Sequence, residues 1–291
     1  MHTRVTKYLV LGPALAIVLL TVAYPLGTAL VTSFREWRLS ESFEPQGFVG
    51  AENYLRAFAD DVFWNSVVVT LAFTALSVVL TLVIAMAIAL VLHGPGKLKM
   101  LLKITLILPY AVAPALKGFS WRFMLSDEYG VYDAIIDTFF PFAADIVWLG
   151  SPFWALFWMA MSEVWGWAPL IALMFIGALS GISPEVHEAA RLDGANRWQI
   201  LRRVTIPMMW PVISIAALLK AIFSFKMFDQ VVTMTGGGPG RSTQTINYLI
   251  YQEGFSFLDM GYASAMAVIL VAGLTVFVAF YVRILMKGGE V

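Results

Sequence analysis

Long runs without a single charge constrain this chain more than any other feature. Leu9 to Leu30, Val67 to Leu92 and Tyr262 to Val282 each lack Asp, Glu, Lys and Arg. A hydrocarbon layer about 30 Å thick takes roughly 20 apolar residues of helix. Inside it, a chain must satisfy its own backbone, which leaves helices and closed barrels. A fourth run, Phe153 to Ile182, is interrupted only by Glu163. Two more are less regular. Ile104 to Leu116 is uncharged but short, and reaches full length if Lys103 and Lys117 snorkel from its ends. Pro207 to Val232 spans if Lys220, Lys226 and Asp229 are tolerated within it. The reading is an all-α, polytopic membrane protein, one transmembrane domain over 1–291. Its six spans are expected near 8–32, 66–92, 101–123, 153–182, 207–231 and 262–284. The first is read as a retained helix and not a signal peptide. Its apolar run exceeds the about 7–15 residues of a signal h-region, and no clear small-x-small cleavage site follows.

The charges agree. Only 13% of residues are charged, against about 25% in soluble domains. The 19 basic and 19 acidic residues cancel, so no net field argues for nucleic acid. Their distribution is uneven, however. With the N-terminus inside, Arg4, Lys7, Lys97, Lys99, Lys103, Arg191, Arg197, Arg202, Arg203, Arg283 and Lys287 face the cytoplasm. Acidic residues such as Glu36, Glu44, Asp60, Asp61, Asp127, Asp133, Asp137 and Asp145 fall on the other side. Cations concentrate on cytoplasmic loops, so both termini are expected inside. The outer segments Phe34 to Trp64 and Phe123 to Pro152 are long enough for short surface helices. The absence of cysteine excludes disulfides, thiolate metal sites and cysteine nucleophiles.

The cytoplasmic loop 183–206 is long and patterned. Ser183 suits an N-cap, Pro184 the first turn, and Glu185 and Glu188 the positive end of the dipole. Val186, Ala189 and Ala190 form a narrow apolar stripe, and Gly194 suits a left-handed stop. A second short helix is expected from Asn196, ending before Pro207. On physics alone, a surface helix pair with snorkelling arginines explains the pattern as well as a docking element does.

Residues 188–195 read Glu-Ala-Ala-Arg-Leu-Asp-Gly-Ala, with Ile206-Pro207 beyond. This closely resembles the EAA loop of ABC importer permeases. Leu108-Pro-Tyr-Ala-Val112 and Thr235-Gly-Gly-Gly-Pro239 are similar to segments of the carbohydrate-uptake, maltose and glycerol-phosphate branch. The resemblance implies the type I importer fold. It further implies a coupling helix for a cytoplasmic ATPase at Glu188, Ala189, Ala190, Asp193 and Gly194. Partners would be a second, non-identical permease, two ATP-binding subunits and an extracytoplasmic solute-binding protein touching Gly237, Gly238 and Pro239. The setting would be the bacterial inner membrane. ATP and Mg would sit on the partner subunits, leaving no cofactor and no enzymatic activity here. Residues 235–242 superficially resemble a phosphate loop. Yet Thr235 stands for its first glycine and Arg241 for its lysine, and no strand precedes it.

Ionisable groups inside spans are costly and often line a pathway. Glu163, Lys220, Lys226 and Asp229 qualify. For Lys220 the structural alternative is an ion pair. Lys226 and Asp229, three apart, could likewise pair on one helical face. Otherwise they line a solute cavity with Phe225 and Phe228 alongside, where aromatic rings pack on sugar C–H faces and polar groups bond hydroxyls. Pro109 and Pro114 free backbone carbonyls in the third span, consistent with a kink beside that cavity. The resemblance places Tyr110, Glu163, Trp167, Phe225, Lys226 and Asp229 at cavity positions. Several are charged where the maltose type has amides, so a disaccharide is not implied. The alternative is an ion-coupled secondary transporter using Lys226 and Asp229. For an intramembrane enzyme the chain offers no nucleophile–base set.

Overall fold

The computed structural model describes residues 12, 13, 15–139 and 146–288. Arg4, Lys7, the start of the first expected span and Asp145 lie outside the described residues, as do the side chains of Asp133, Asp137 and Lys287. The described residues are helical apart from loops and two isolated bridges.

Among the described residues, five helices are long and apolar enough to cross a membrane. They are α1 (Leu15–Thr32), α3 (Asp61–Leu92), α7 (Pro152–Ser180), α9 (Arg197–Phe225) and α11 (Met260–Gly288). Between them lie α2 (Glu52–Ala59), α4 (Lys97–Thr105), α5 (Pro114–Met124), α6 (Val131–Phe139), α8 (Pro184–Leu192) and α10 (Ile246–Tyr251). Helices α2 and α6 occupy the segments where surface helices were expected.

The stretch 101–123, expected as one span, is two helices joined by the irregular segment 106–113. Pro109 and Pro114 are the cause. Neither can donate to a helical ladder, and the residue before a proline is pushed out of the helical region. Ala113, at ψ 135°, obeys that rule. The fifth span differs at both ends. The helix starting after Asn196 does not stop before Pro207. It widens over Leu201–Thr205, where the Ile206 N–H bonds five residues back to Leu201, and continues as α9. A proline ring clashes with the carbonyl four residues earlier, and a widened turn loosens the ladder there. The other end comes at Phe225, six residues short of the expected boundary.

Contacts divide the chain into two compact units. One runs to Trp64 and includes Leu249–Thr275. Within it the Asn53 amide donates to the carbonyls of Ser33 and Arg35, both at 3.0 Å. Arg56 pairs with Asp259 at 2.7 Å, and its guanidinium lies 3.8 Å above the Tyr262 ring. The Tyr262 hydroxyl donates to Asp60.

The second unit comprises Asn65–Tyr248 and Val276 onward. Its first core packs Ala85, Ala89 and Leu92 against Val164, Ala168, Phe175 and Met209. The alanines let helix backbones approach closely, which suits helices whose apolar faces gain little from leaving lipid. A second core gathers Phe73, Trp121, Met159, Met227, Val231 and Met234. Here α5 meets the widened turn Val231–Thr235 so closely that a Cβ on Gly118 would collide with the Thr233 side chain.

Candidate functional site

The irregular segment after α4 opens a cavity of about 450 Å³ within the second unit. It is lined by Pro109–Pro114, Lys117 of α5, residues of α7, Phe223 of α9 and residues 226–229 just beyond it. Tyr110, Glu163, Trp167, Lys226 and Asp229 all border it. Phe225 does not. Its carbonyl accepts a hydrogen bond from Asn247, and Phe223, two residues earlier, borders the cavity in its place.

Three packed rings make one apolar wall, and Phe228 lines the cavity as well. Tyr110 meets Trp167 edge-on at 5.2 Å, and Phe223 lies 4.7 Å from Trp167. The Lys220 ammonium is 5.3 Å from the same indole, within reach of a cation–π attraction.

Glu163 is only 3% exposed, and its carboxylate is held from both sides. Lys117 donates to one oxygen at 2.5 Å and Lys220 to the other at 2.7 Å. Lys117 therefore does not snorkel from a span end. It is 6% exposed and lies at the cavity edge, because the break at 106–113 re-aims the residues after Pro114. Gly166, one turn beyond Glu163, makes room for it: a Cβ there would stand 3.1 Å from the Lys117 ammonium. Lys220 finds its partner within the chain and is fully buried.

Lys226 and Asp229 do not pair. The helix ends at Phe225, Lys226 adopts φ −91° and ψ 12°, and the single helical face that would join the two is interrupted. Both side chains are exposed toward the cavity, and among the described residues neither carries an ion pair.

Lys117, Gly166 and Phe223 were not anticipated. No sequence signal marked Lys117 as a partner of Glu163, since the two lie 46 residues apart.

The loop 183–206 forms α8, a tight turn, and the start of α9. Ser183 does not cap α8. Its hydroxyl donates to the Glu185 carboxylate instead, holding that carboxyl below its usual range. No residue of α8 is buried. Glu188, Ala189 and Asp193 are exposed, Ala190 is half-buried, and Leu192 is 89% exposed. Gly194 adopts φ +81°, a left-handed conformation glycine takes without strain. Asn196 and Gln199 then form a reciprocal capping box. His187 reaches Thr205 at 3.2 Å, tying α8 to the base of α9.

The glycine loop is rigidly made. Gly236, Gly237 and Gly240 have φ of +62°, +85° and +60°. Thr243, fully buried, donates to the Gly238 carbonyl at 2.7 Å, and Asn65 donates to the Arg241 carbonyl. Gly237 is buried, and a Cβ there would press on the Tyr248 ring at 2.8 Å. Gly238 and Pro239 are half-buried, while Gly236, Gly240 and Arg241 are the exposed surface. Gly237, expected in the contact loop, therefore offers no exposed surface.

Residues 45–288 match the family described as binding-protein-dependent transport system inner membrane component. The chain is 32% identical to the sulfoquinovosyl glycerol transport system permease protein SmoG of Agrobacterium fabrum, over 97% of this chain and 91% of that protein. It is 30% identical to the trehalose/maltose transport system permease protein MalF of Thermococcus litoralis, over 95% and 92%. In fold it is similar to a chain of a bacterial ABC transporter involved in import of the acidic polysaccharide alginate. That likeness has a TM-score of 0.82 at 20% identity, covering 97% of this chain and 95% of the other.

Proposed function

Since this chain belongs to the family of binding-protein-dependent transport system inner membrane components, we propose that it is the transmembrane permease subunit of an ATP-driven importer for a sugar or sugar-like solute. The solute arrives from an extracytoplasmic binding protein, occupies the cavity beside Tyr110, Trp167 and Phe223, and leaves inward. The sugar-transport names of its relatives support the solute class. A three-ring wall next to Lys226, Asp229 and the Glu163 group supports it chemically, since such mixtures suit amphipathic polyhydroxyl solutes.

The observation that carries the ATP-driven reading is α8. It is a short, sharply terminated helix with no buried residue, bearing an exposed carboxylate at Glu188 and an exposed Leu192. A short rigid helix tied to the bundle base can pass a partner's closure on as a rigid-body swing. Glu188, Ala189, Ala190, Asp193 and Gly194 are the coupling surface in this reading. Gly238 and Pro239, with Gly236, Gly240 and Arg241, face the binding protein.

The topology that fits has six crossings in the bacterial inner membrane and both termini in the cytoplasm. The broken stretch 97–124 supplies the crossing that no single helix makes. A second permease and two ATP-binding subunits complete the assembly. Nucleotide and Mg stay on the ATP-binding subunits, and this chain does no catalysis. Nothing in the fold or the comparisons supports an ion-coupled mechanism through Lys226 and Asp229.

The chain has no cysteine, so Ala189→Cys provides a unique thiol. In the assembled complex this thiol should cross-link to an ATP-binding subunit, while a thiol from Gly240→Cys should not. The reverse pattern would overturn both the coupling surface and the orientation.

A further inference from the structure

The charge around the cavity does not balance. Glu163 is shared by two lysines, Lys117 at 2.5 Å and Lys220 at 2.7 Å. On the rest of the wall Lys226 and Asp229 offset one another. The five groups together carry one excess positive charge. Ammonium groups have three donors each, and Glu163 takes one from each of the buried pair. Lys220 lies behind the wall, fully buried under Trp167. Lys117 borders the open space, and Gly166 beside it offers no side chain to cover the ammonium.

We propose that this cavity selects solutes bearing one anionic group, a carboxylate, sulfate or phosphate on a polyhydroxyl body, and that Lys117 receives that group. A buried cation without its own counter-ion is costly. An arriving anion supplies what the site lacks, turning two cations around one carboxylate into two complete pairs. Charge-assisted contacts of this kind are stronger than neutral ones, the more so in a poorly solvated site. The ring wall of Tyr110, Trp167 and Phe223 then holds the body of the solute. Asp229 discourages a second anion, so the match is to a single charge. The inference rests on the permease reading above and adds the substrate's charge to it.

The test uses the assembled permease–ATPase complex in nanodiscs, without binding protein, so that only the cavity discriminates. Methyl glucuronide and methyl glucoside are the probes, and calorimetric titration gives their affinities. The wild-type complex should bind the glucuronide at least tenfold more tightly, about 1.4 kcal/mol. In Lys117→Met that ratio should fall to near one, and in Lys117→Arg it should persist. Size-exclusion chromatography verifies that each variant assembles. Equal binding of both probes by the wild type, binding of neither, or an unchanged ratio in Lys117→Met overturns the inference. The first of these is also the outcome expected if the second permease supplies the missing carboxylate. A parallel uptake assay with the binding protein separates the two levels. ATP-dependent uptake without anion preference leaves the importer reading standing and removes this one. Absence of any ATP-dependent uptake removes both.

Discussion

Replacing Glu163 with glutamine tests the buried triad directly. The carboxylate holds Lys117 and Lys220 at 2.5 and 2.7 Å, and all three side chains are at most 6% exposed. A unit pair about 4 Å apart attracts by roughly 4 kcal/mol at an effective dielectric of 20, and the substitution removes two such attractions. Part is returned, because the carboxylate no longer loses its own hydration. Removing one partner of a buried pair costs about 3–5 kcal/mol in other proteins, and the triad should fall in that range. Lys117→Met leaves an intact one-to-one pair, so it should cost less than half as much. Adding Lys220→Met to Glu163→Gln removes one of the two stranded cations and should recover part of the loss. Neighbours of this kind are non-additive by about 0.5–3 kcal/mol. Unfolding of the purified chain in mixed micelles by titrated dodecyl sulfate, followed by tryptophan fluorescence, would measure these three variants against wild type. If Glu163→Gln unfolds within about 1 kcal/mol of wild type, the triad is not a charged network and the reasoning fails.

Two further predictions concern packing and pH. Gly118→Ala forces a Cβ into the Thr233 side chain and should destabilise the chain by about 1–3 kcal/mol. Pairing it with Thr233→Ala should relieve most of that loss in the same titration, and a purely additive double variant would refute the contact. Burial, and then the charges of Asp259 and Asp60, raise the Glu253 carboxyl above its ordinary value against the opposing pull of Arg56. Its native form therefore holds a proton that the unfolded chain has released, so its contribution to stability declines as pH rises between the unfolded and folded values. Glu253→Gln should flatten that slope in pH-dependent unfolding, and an unaltered slope would place the titration elsewhere.

Much of this fold was legible because lipid leaves few options. The runs at 67–92, 153–182 and 262–282 had to be helices, and the structure has α3, α7 and α11 there. Gly194 was legible as well, since a patterned helix followed by glycine specifies a left-handed stop, here at φ +81°. The third stretch was legible in part, since Pro109 and Pro114 suggested a kink beside a cavity. Its apolar length still suggested one span bounded by snorkelling lysines, but the prolines break it into two helices and Lys117 turns inward. The helix at Asn196 was misjudged for a related reason. Pro207 reads as a stop, yet a widened turn ahead of it absorbs the steric conflict and the helix continues. Glu163, Lys220, Lys226 and Asp229 could be marked as costly within spans, whereas Tyr110 and Trp167 came only from the resemblance. The partners of Glu163 could not be read, because Lys117 and Lys220 lie 46 and 57 residues from it and only the tertiary fold brings them together. The exchange of Phe225 for Phe223 has the same origin, since the end of α9 sets which ring meets the cavity.

In the proposed importer, α8 transmits an ATPase cycle to the path through this chain. Uptake of labelled solute into proteoliposomes bearing the full complex and binding protein tests it most directly, with Glu188→Lys compared against wild type. Glu188 is exposed and buries nothing within its own chain, so the variant should insert normally. Wild type should show ATP-dependent uptake, and Glu188→Lys should lose it with the permease still in the membrane. Uptake by the variant at the wild-type rate would contradict this role of α8.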